Sequence, residues 1–195
     1  PHLAYNPSAH LAIVDIVLGV ADILPIHGFG YLVPRNATNN SDEILGVIFD
    51  SDAVPNQSQR LTKLTVMMGG PYWRHRSSFP NEDDVKERAL RALHSQLGLS
   101  LLTLTSHLEN ISARVMTDTI PQYLVGHPQR MAELKAAIKM HPQWRNRLSL
   151  LGYSYGGVGV NDCIANAMDT CDAISNYEQN KPPLSDITGL QPAIF

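Results

Sequence analysis

The stretch from Leu148 to Ile164 constrains this chain more than any other. An apolar run, Leu148-Ser149-Leu150-Leu151, is followed by Gly152 and then by Gly156-Gly157-Val158-Gly159. Beyond it Ile164, Ala167, Met168, Cys171 and Ile174 recur at helical spacing. The pattern predicts a strand over 147–153 that passes through a small-residue turn into a helix over 160–177, with those five residues on the core face. Glycines remove side chains where backbone must come close to something. The first N–H groups of a helix have no intrahelical partner, so they point at whatever lies beside the turn. Two readings follow: glycines needed for sterics alone, or a turn that presents donors to a ligand with an electron-rich edge.

The first half of the chain reads as extended segments. His10–Gly19 is β-branched and mostly apolar, and Tyr31–Pro34, Ile44–Phe49 and Leu61–Met68 are further strand candidates. Polar loops rich in Asn and Ser separate them, from Arg35 to Glu43 and from Asp50 to Gln59. Asn81 can cap a helix whose first turn carries Glu82, Asp83 and Asp84. Val85, Ala89, Leu93 and Leu97 form its stripe, and Gly98 stops it. Ser112–Thr119 alternates, with Ala113 and Val115 on one face. Pro128 opens a second helix with Met131, Leu134 and Ile138 as its stripe. The order, strands first and helices interspersed later, argues for an α+β fold with a mixed sheet and flanking helices. The tail from Lys181 reads as irregular.

Composition narrows the function. Fifteen Lys+Arg against eighteen Asp+Glu give a net charge of −3, with no basic stripe, so nucleic-acid binding has no electrostatic support. The two cysteines, Cys163 and Cys171, stand eight residues apart on one predicted helix. That separation is roughly 12 Å, too far for a disulfide. The eight histidines show no metal-ligand spacing. The longest apolar stretch, Leu11–Ala21, is interrupted by Asp15 and is too short to cross a bilayer. A chain that opens at Pro1 and reaches an extended run within ten residues reads as a fragment. His27, His75 and His127 each stand beside Gly, Arg or Pro without a catalytic constellation and read as structural. The patch Tyr72-Trp73-Arg74-His75-Arg76 reads as a solvated loop, with a place near a membrane surface or a substrate mouth as the other reading.

The turn is not the dinucleotide fingerprint, since its glycine spacing differs and no ribose-binding acid sits at a strand end about 20 residues on. Ser154-Tyr155-Gly156-Gly157-Val158-Gly159-Val160-Asn161-Asp162-Cys163-Ile164 instead resembles the C-terminal flavin-contacting segment of the protoporphyrinogen oxidases, heme-pathway members of the flavin amine oxidase superfamily. Four further blocks resemble the same family in order. They are Gly28-Phe29-Gly30-Tyr31-Leu32-Val33-Pro34, Ile44–Ser51, Thr65–Gly70, and Ile120-Pro121-Gln122-Tyr123 with Gly126-His127.

The resemblance implies a division into residues 1–125 as part of a substrate-binding domain, 126–178 as the end of an FAD-binding domain, and 179–195 as a tail. It implies that Val158, Gly159, Val160 and Asn161 contact the isoalloxazine ring of FAD. Donors at a helix start would favour the reduced ring, whose negative charge gathers on one edge. It places Leu32, Ile48 and Met67 on the wall of an apolar pocket for a tetrapyrrole, although an apolar residue on a strand can equally belong to the core. Met67 departs from the aromatic residue of some members, yet a thioether still packs on a flat ring. The implied activity is six-electron oxidation of protoporphyrinogen IX to protoporphyrin IX by dioxygen, with no residue of this chain as acid or base. Localisation to the mitochondrial inner membrane, membrane-surface association and a homodimer are further expectations. The alternatives are another flavin amine oxidase-like enzyme, or a non-enzymatic interaction domain in which the turn is only structural.

Overall fold

The computed structural model describes residues 6–54 and 60–178. Its contacts divide the chain into two compact units, Ala9–Thr119, and Pro1–Ser8 together with Ile120–Phe195. The tail expected to be irregular lies outside the described residues.

The unit Ala9–Thr119 is built on one sheet. β1 (Ser8–Leu18), β2 (Gly30–Leu32), β3 (Ile44–Ile48), β4 (Thr62–Gly69) and β5 (Leu108–Pro121) lie in the order β2-β3-β4-β1-β5. The pairs β1/β4, β2/β3 and β3/β4 are antiparallel. Gly19 at the end of β1 donates to His107 O, just before β5, at 2.7 Å, so β5 also runs against β1. The expected mixed sheet is therefore antiparallel. The helical crossover from β4 to β5 makes those two strands run the same way, but β1 is inserted between them and converts a parallel pair into two antiparallel ones.

Alternation explains which face is buried. Ala12, Val14, Ile16 and Leu18 of β1 and Leu64, Val66 and Met68 of β4 point to one side and are buried. Ile13, Asp15 and Val17, with Lys63, Thr65 and Met67, point to the other. On the buried side lies α2 (Glu82–Leu97), which inserts Val85, Ala89, Ala92 and Leu93. Asn81 caps it with a full capping box, and Gly98 ends it in the left-handed region at φ 71°. A short helix, α3 (Leu101–Ser106), was not legible in the hydrophobic pattern. Ser100 caps it and Leu104 joins the core. A single turn, α1 (Asp50–Ala53), begins the loop between β3 and β4.

The aromatic patch after β4 is not simply a solvated loop. Trp73 is fully buried, and its Nε1 donates to Glu43 Oε2 at 2.9 Å. Glu43 also accepts from Arg76 and from Arg88, so it ties the Asn-rich loop to α2. Arg74 and His75 are exposed. The indole anchors the loop.

The second unit contains α4 (His127–Met140) and α5 (Val160–Glu178). Met131, Leu134 and Ile138 of α4 form the stripe the spacing predicts, and Leu148, Leu150 and Tyr155 pack against it. The strand expected over 147–153 is absent. Those residues form turns and irregular backbone, because no described strand offers them a ladder partner, and a strand exists only by pairing. Their apolar side chains are used all the same, against α4.

The core face expected for α5 is also rotated. Ile164 is 53% and Met168 63% exposed, Cys171 is exposed, and Ile174 is 39% exposed. The buried residues are Thr170 and Ala173, on a stripe with the half-buried Cys163, Asn166 and Ala167. The smaller, more polar side of α5 is the buried one, and its first turns, through Cys163 and Asn166, meet the glycine turn.

Candidate functional site

The turn from Gly152 to Gly159 folds back on the first turns of α5. A Cβ added to Gly157, at φ 152°, would lie 2.5 Å from Asp162 Cβ. One added to Gly156 would lie 2.7 Å from Asn166 Nδ2. The glycines are thus required by packing on the helix itself, which accounts for their presence on steric grounds. Cys163 Sγ lies 3.7 Å from Gly157 O and closes the contact.

The amides around the helix start divide into two kinds. Gly159 N donates to Asp162 Oδ2 at 3.2 Å, and Gly159 O accepts the first helical bond, from Cys163 N. Asp162 therefore caps α5 from within, so Gly159 is removed from the set of donors expected to face a ligand. Among the described residues, the amides of Val158, Val160 and Asn161 have no such partner. Val160 and Asn161 stand too early in the helix for an intrahelical acceptor. Val158 is half exposed, Val160 is 76% exposed and Asn161 is exposed. Three of the four residues singled out for flavin contact thus keep a free amide at the positive end of a 19-residue helix.

Other residues hold this turn in place. Tyr123 Oη donates to Tyr153 O at 2.5 Å and accepts from Gly157 N at 2.9 Å. His127, fully buried, faces Tyr155 O with Nε2 at 3.0 Å. Its Nδ1 accepts from Asn6 Nδ2 at 3.3 Å, and the same amide donates to Ser154 O at 3.3 Å. The rings of Tyr123 and His127 stack, with centroids 4.0 Å apart and planes 7° from parallel. Burial, as the largest influence, pushes the Tyr123 hydroxyl's pKa up, opposed by the Gly157 amide. The sequence signal for these residues was the block Ile120–Tyr123 with Gly126-His127, quoted for its resemblance; Tyr123 had no role there, and His127 was read as structural.

Leu32, Ile48 and Met67 belong to the sheet of the other unit. Register places them together: Leu32 opposes Gly46, which opposes Met67, and in the next row Ile48 lies between Gly30 and Thr65. All three stand on the face of the sheet opposite to α2, outside the core that α2 covers. Leu32 is 79% exposed, while Ile48 and Met67 are half-buried. Gly46 lets β2 come close: a Cβ there would lie 2.5 Å from Tyr31 O and 3.0 Å from Leu32 Cδ2. The result is an apolar patch with a polar end, where Thr65 Oγ1 lies 3.0 Å from Asp15 Oδ1 and 2.8 Å from Asp50 Oδ2.

Among the described residues, no cluster of three or more His, Cys, Asp or Glu could hold a metal ion, and no helix is long and apolar enough to cross a membrane. Tyr123, His127 and the free amides offer hydrogen bonding and shape, not a nucleophile or a proton relay.

No protein-family model matches the chain. Among curated proteins, it is 35% identical over 174 residues to the protoporphyrinogen oxidase of Schizosaccharomyces pombe, covering 88% of this chain and 34% of that protein. The protoporphyrinogen oxidases of Bos taurus and Homo sapiens are 34% and 33% identical over 162 residues, 80% of this chain and 32% of each. A solved structure from Exiguobacterium sp. 255-15, which carries the same name provisionally, superposes with a TM-score of 0.69 at 23% identity. It covers 93% of this chain and 37% of that one, and so supports the fold. Along most of its length, the chain is a homologue of the protoporphyrinogen oxidases and spans about one third of the length of those relatives.

Proposed function

We propose that the chain is the C-terminal part of an FAD-dependent oxidase that converts protoporphyrinogen IX to protoporphyrin IX with dioxygen, a step of heme biosynthesis. The observation that carries this reading is the 33–35% identity to curated protoporphyrinogen oxidases over 80–88% of the chain. The turn geometry supports it. Free amides at Val158, Val160 and Asn161 suit an acceptor edge that gains charge on reduction.

In this reading, residues 120–178 serve the cofactor and residues 9–119 the substrate. When bound, the flavin ring supplies the two-electron acceptor that dioxygen regenerates. The chain's own part is positional: the amides hold the acceptor edge, and Leu32, Ile48 and Met67 offer a flat apolar surface to the macrocycle. The uncovered stripe on α5, Val160, Ile164 and Met168, is the surface on which further chain of a full-length relative would dock. Without that further chain, the fragment binds FAD weakly and is inactive. By the same resemblance the enzyme works at the mitochondrial inner membrane, on its surface and as a homodimer.

The test is expression of the full-length protein, with the flavin absorption spectrum and the gain of porphyrin fluorescence on adding protoporphyrinogen as readouts. Both are expected. Bound flavin with no porphyrin formed would indicate an oxidase of the same superfamily acting on another substrate. A folded protein without flavin would leave a non-enzymatic domain.

A further inference from the structure

We infer that Tyr123 and His127 are positioning residues, which aim the amides of Val158, Val160 and Asn161 and thereby set how strongly the turn favours a reduced ring over an oxidised one. The inference rests on the flavin reading above and assigns that site two residues outside the turn itself.

The argument starts from chain stiffness. Gly156, Gly157 and Gly159 have the widest conformational freedom of any residues, so a turn built from them does not hold a direction unless something ties it. From the helix side, Asp162 and Cys163 hold Gly159, and Cys163 Sγ meets Gly157 O. Upstream, Tyr123 ties both Tyr153 and Gly157 through one hydroxyl, and His127 ties Tyr155. The bond at Gly157 N is the last before Val158 that comes from outside α5.

The protonation states needed for these bonds are those the surroundings favour. His127 Nε2 faces a carbonyl oxygen, so it carries the proton and donates, while Nδ1 accepts from the Asn6 amide. Asn6 cannot be turned around without losing its bond to Ser154 O. The neutral tautomer is therefore fixed by neighbours on both sides. The raised pKa of Tyr123 keeps its hydroxyl protonated, and so a donor to Tyr153 O. Stacking of the two rings makes the ties one unit.

The deciding variant is Tyr123→Phe in the full-length protein, which keeps the ring on His127 and removes both hydroxyl bonds. The expected result is a folded protein with wild-type flavin content, shifted flavin absorption bands and a more negative midpoint potential. A tenfold loss of preference for the reduced form corresponds to about 30 mV for a two-electron couple. His127→Gln retains an N–H able to reach Tyr155 O and is expected to lie closer to wild type than His127→Leu. A purely structural role would lower the melting temperature without moving the bands or the potential. A flavin-loaded Tyr123→Phe protein with unchanged spectrum and potential would overturn the inference and leave the flavin reading intact. Should Tyr123→Phe not fold, equal potentials for His127→Gln and His127→Leu would overturn it. Wild-type protein without flavin would remove the reading on which it stands.

Discussion

Replacing Gly69 by Ala isolates the contact that seats the buried indole. Gly69 ends β4 at φ 100° and ψ −115°, a conformation closed to residues with a Cβ. An added Cβ would lie 2.6 Å from Trp73 Cε3, 2.7 Å from Cδ2 and 3.0 Å from His10 O. Backbone strain in such a region costs roughly 1–3 kcal/mol, and overpacking a filled core costs about 1–3 kcal/mol more. The indole cannot retreat cheaply, because its Nε1 is bonded to Glu43 and its ring lies against Phe79 with centroids 5.7 Å apart. The sum is about 2–6 kcal/mol of lost stability. Gly70→Ala is the internal control. Its φ is 55°, and its added Cβ would meet only the flexible Leu45 Cδ1 at 3.3 Å, so roughly 1–2 kcal/mol is expected. Urea unfolding of the full-length protein, followed by tryptophan fluorescence, measures both. If Gly69→Ala cost no more than Gly70→Ala, the tight seating of Trp73 would be wrong.

Three other outcomes are expected. Asn81→Ala removes the side-chain acceptor of the Asp84 N–H, at 2.9 Å, and leaves the backbone bond from residue 81 to Asp84 Oδ2; urea unfolding should show a loss of about 1 kcal/mol; no change would mean that the cap frays in solution. Burial pushes the Tyr31 hydroxyl's pKa up to about 12 from 10.0, so the folded state retains a proton that the unfolded state loses. Its contribution to stability is complete below pH 10.0 and disappears as pH rises through about 12. Tyr31→Phe should flatten that part of the stability profile, and an unaltered slope would count against it. Leu32→Ser, on an exposed site, should change unfolding stability by less than about 0.5 kcal/mol while raising KM for protoporphyrinogen. An unchanged KM would remove Leu32 from the substrate surface.

Much of the fold was legible because local rules and tertiary packing agree. Alternation along β1 and β4, the Asn81 cap, the Gly98 stop and the α4 stripe each follow from short-range periodicity or from one end residue. Where the two diverge, the reading failed. Apolar Leu148–Leu151 looks like a strand, but pairing requires a partner elsewhere in the chain, and none of the described strands supplies one. The helix α5 has an apolar stripe, yet burial falls on its adjacent face, where Asn166 meets Gly156. Trp73 sits in a basic, polar stretch whose composition suggests a surface; the glycine pair before it turns it inward.

The candidate site divides in the same way. The order and identity of its residues, from Gly28 to Ile164, marked the glycine turn and the apolar trio, since these are matters of sequence pattern. Tertiary structure alone decided that Leu32, Ile48 and Met67 share the open face of the sheet, because strand register determines which side chains are neighbours. It alone withdrew Gly159 from the donor set, through the carboxylate three residues on. And it alone joined Tyr123 and His127 to a turn about thirty residues away, a contact that depends on chain reversal rather than on any local spacing.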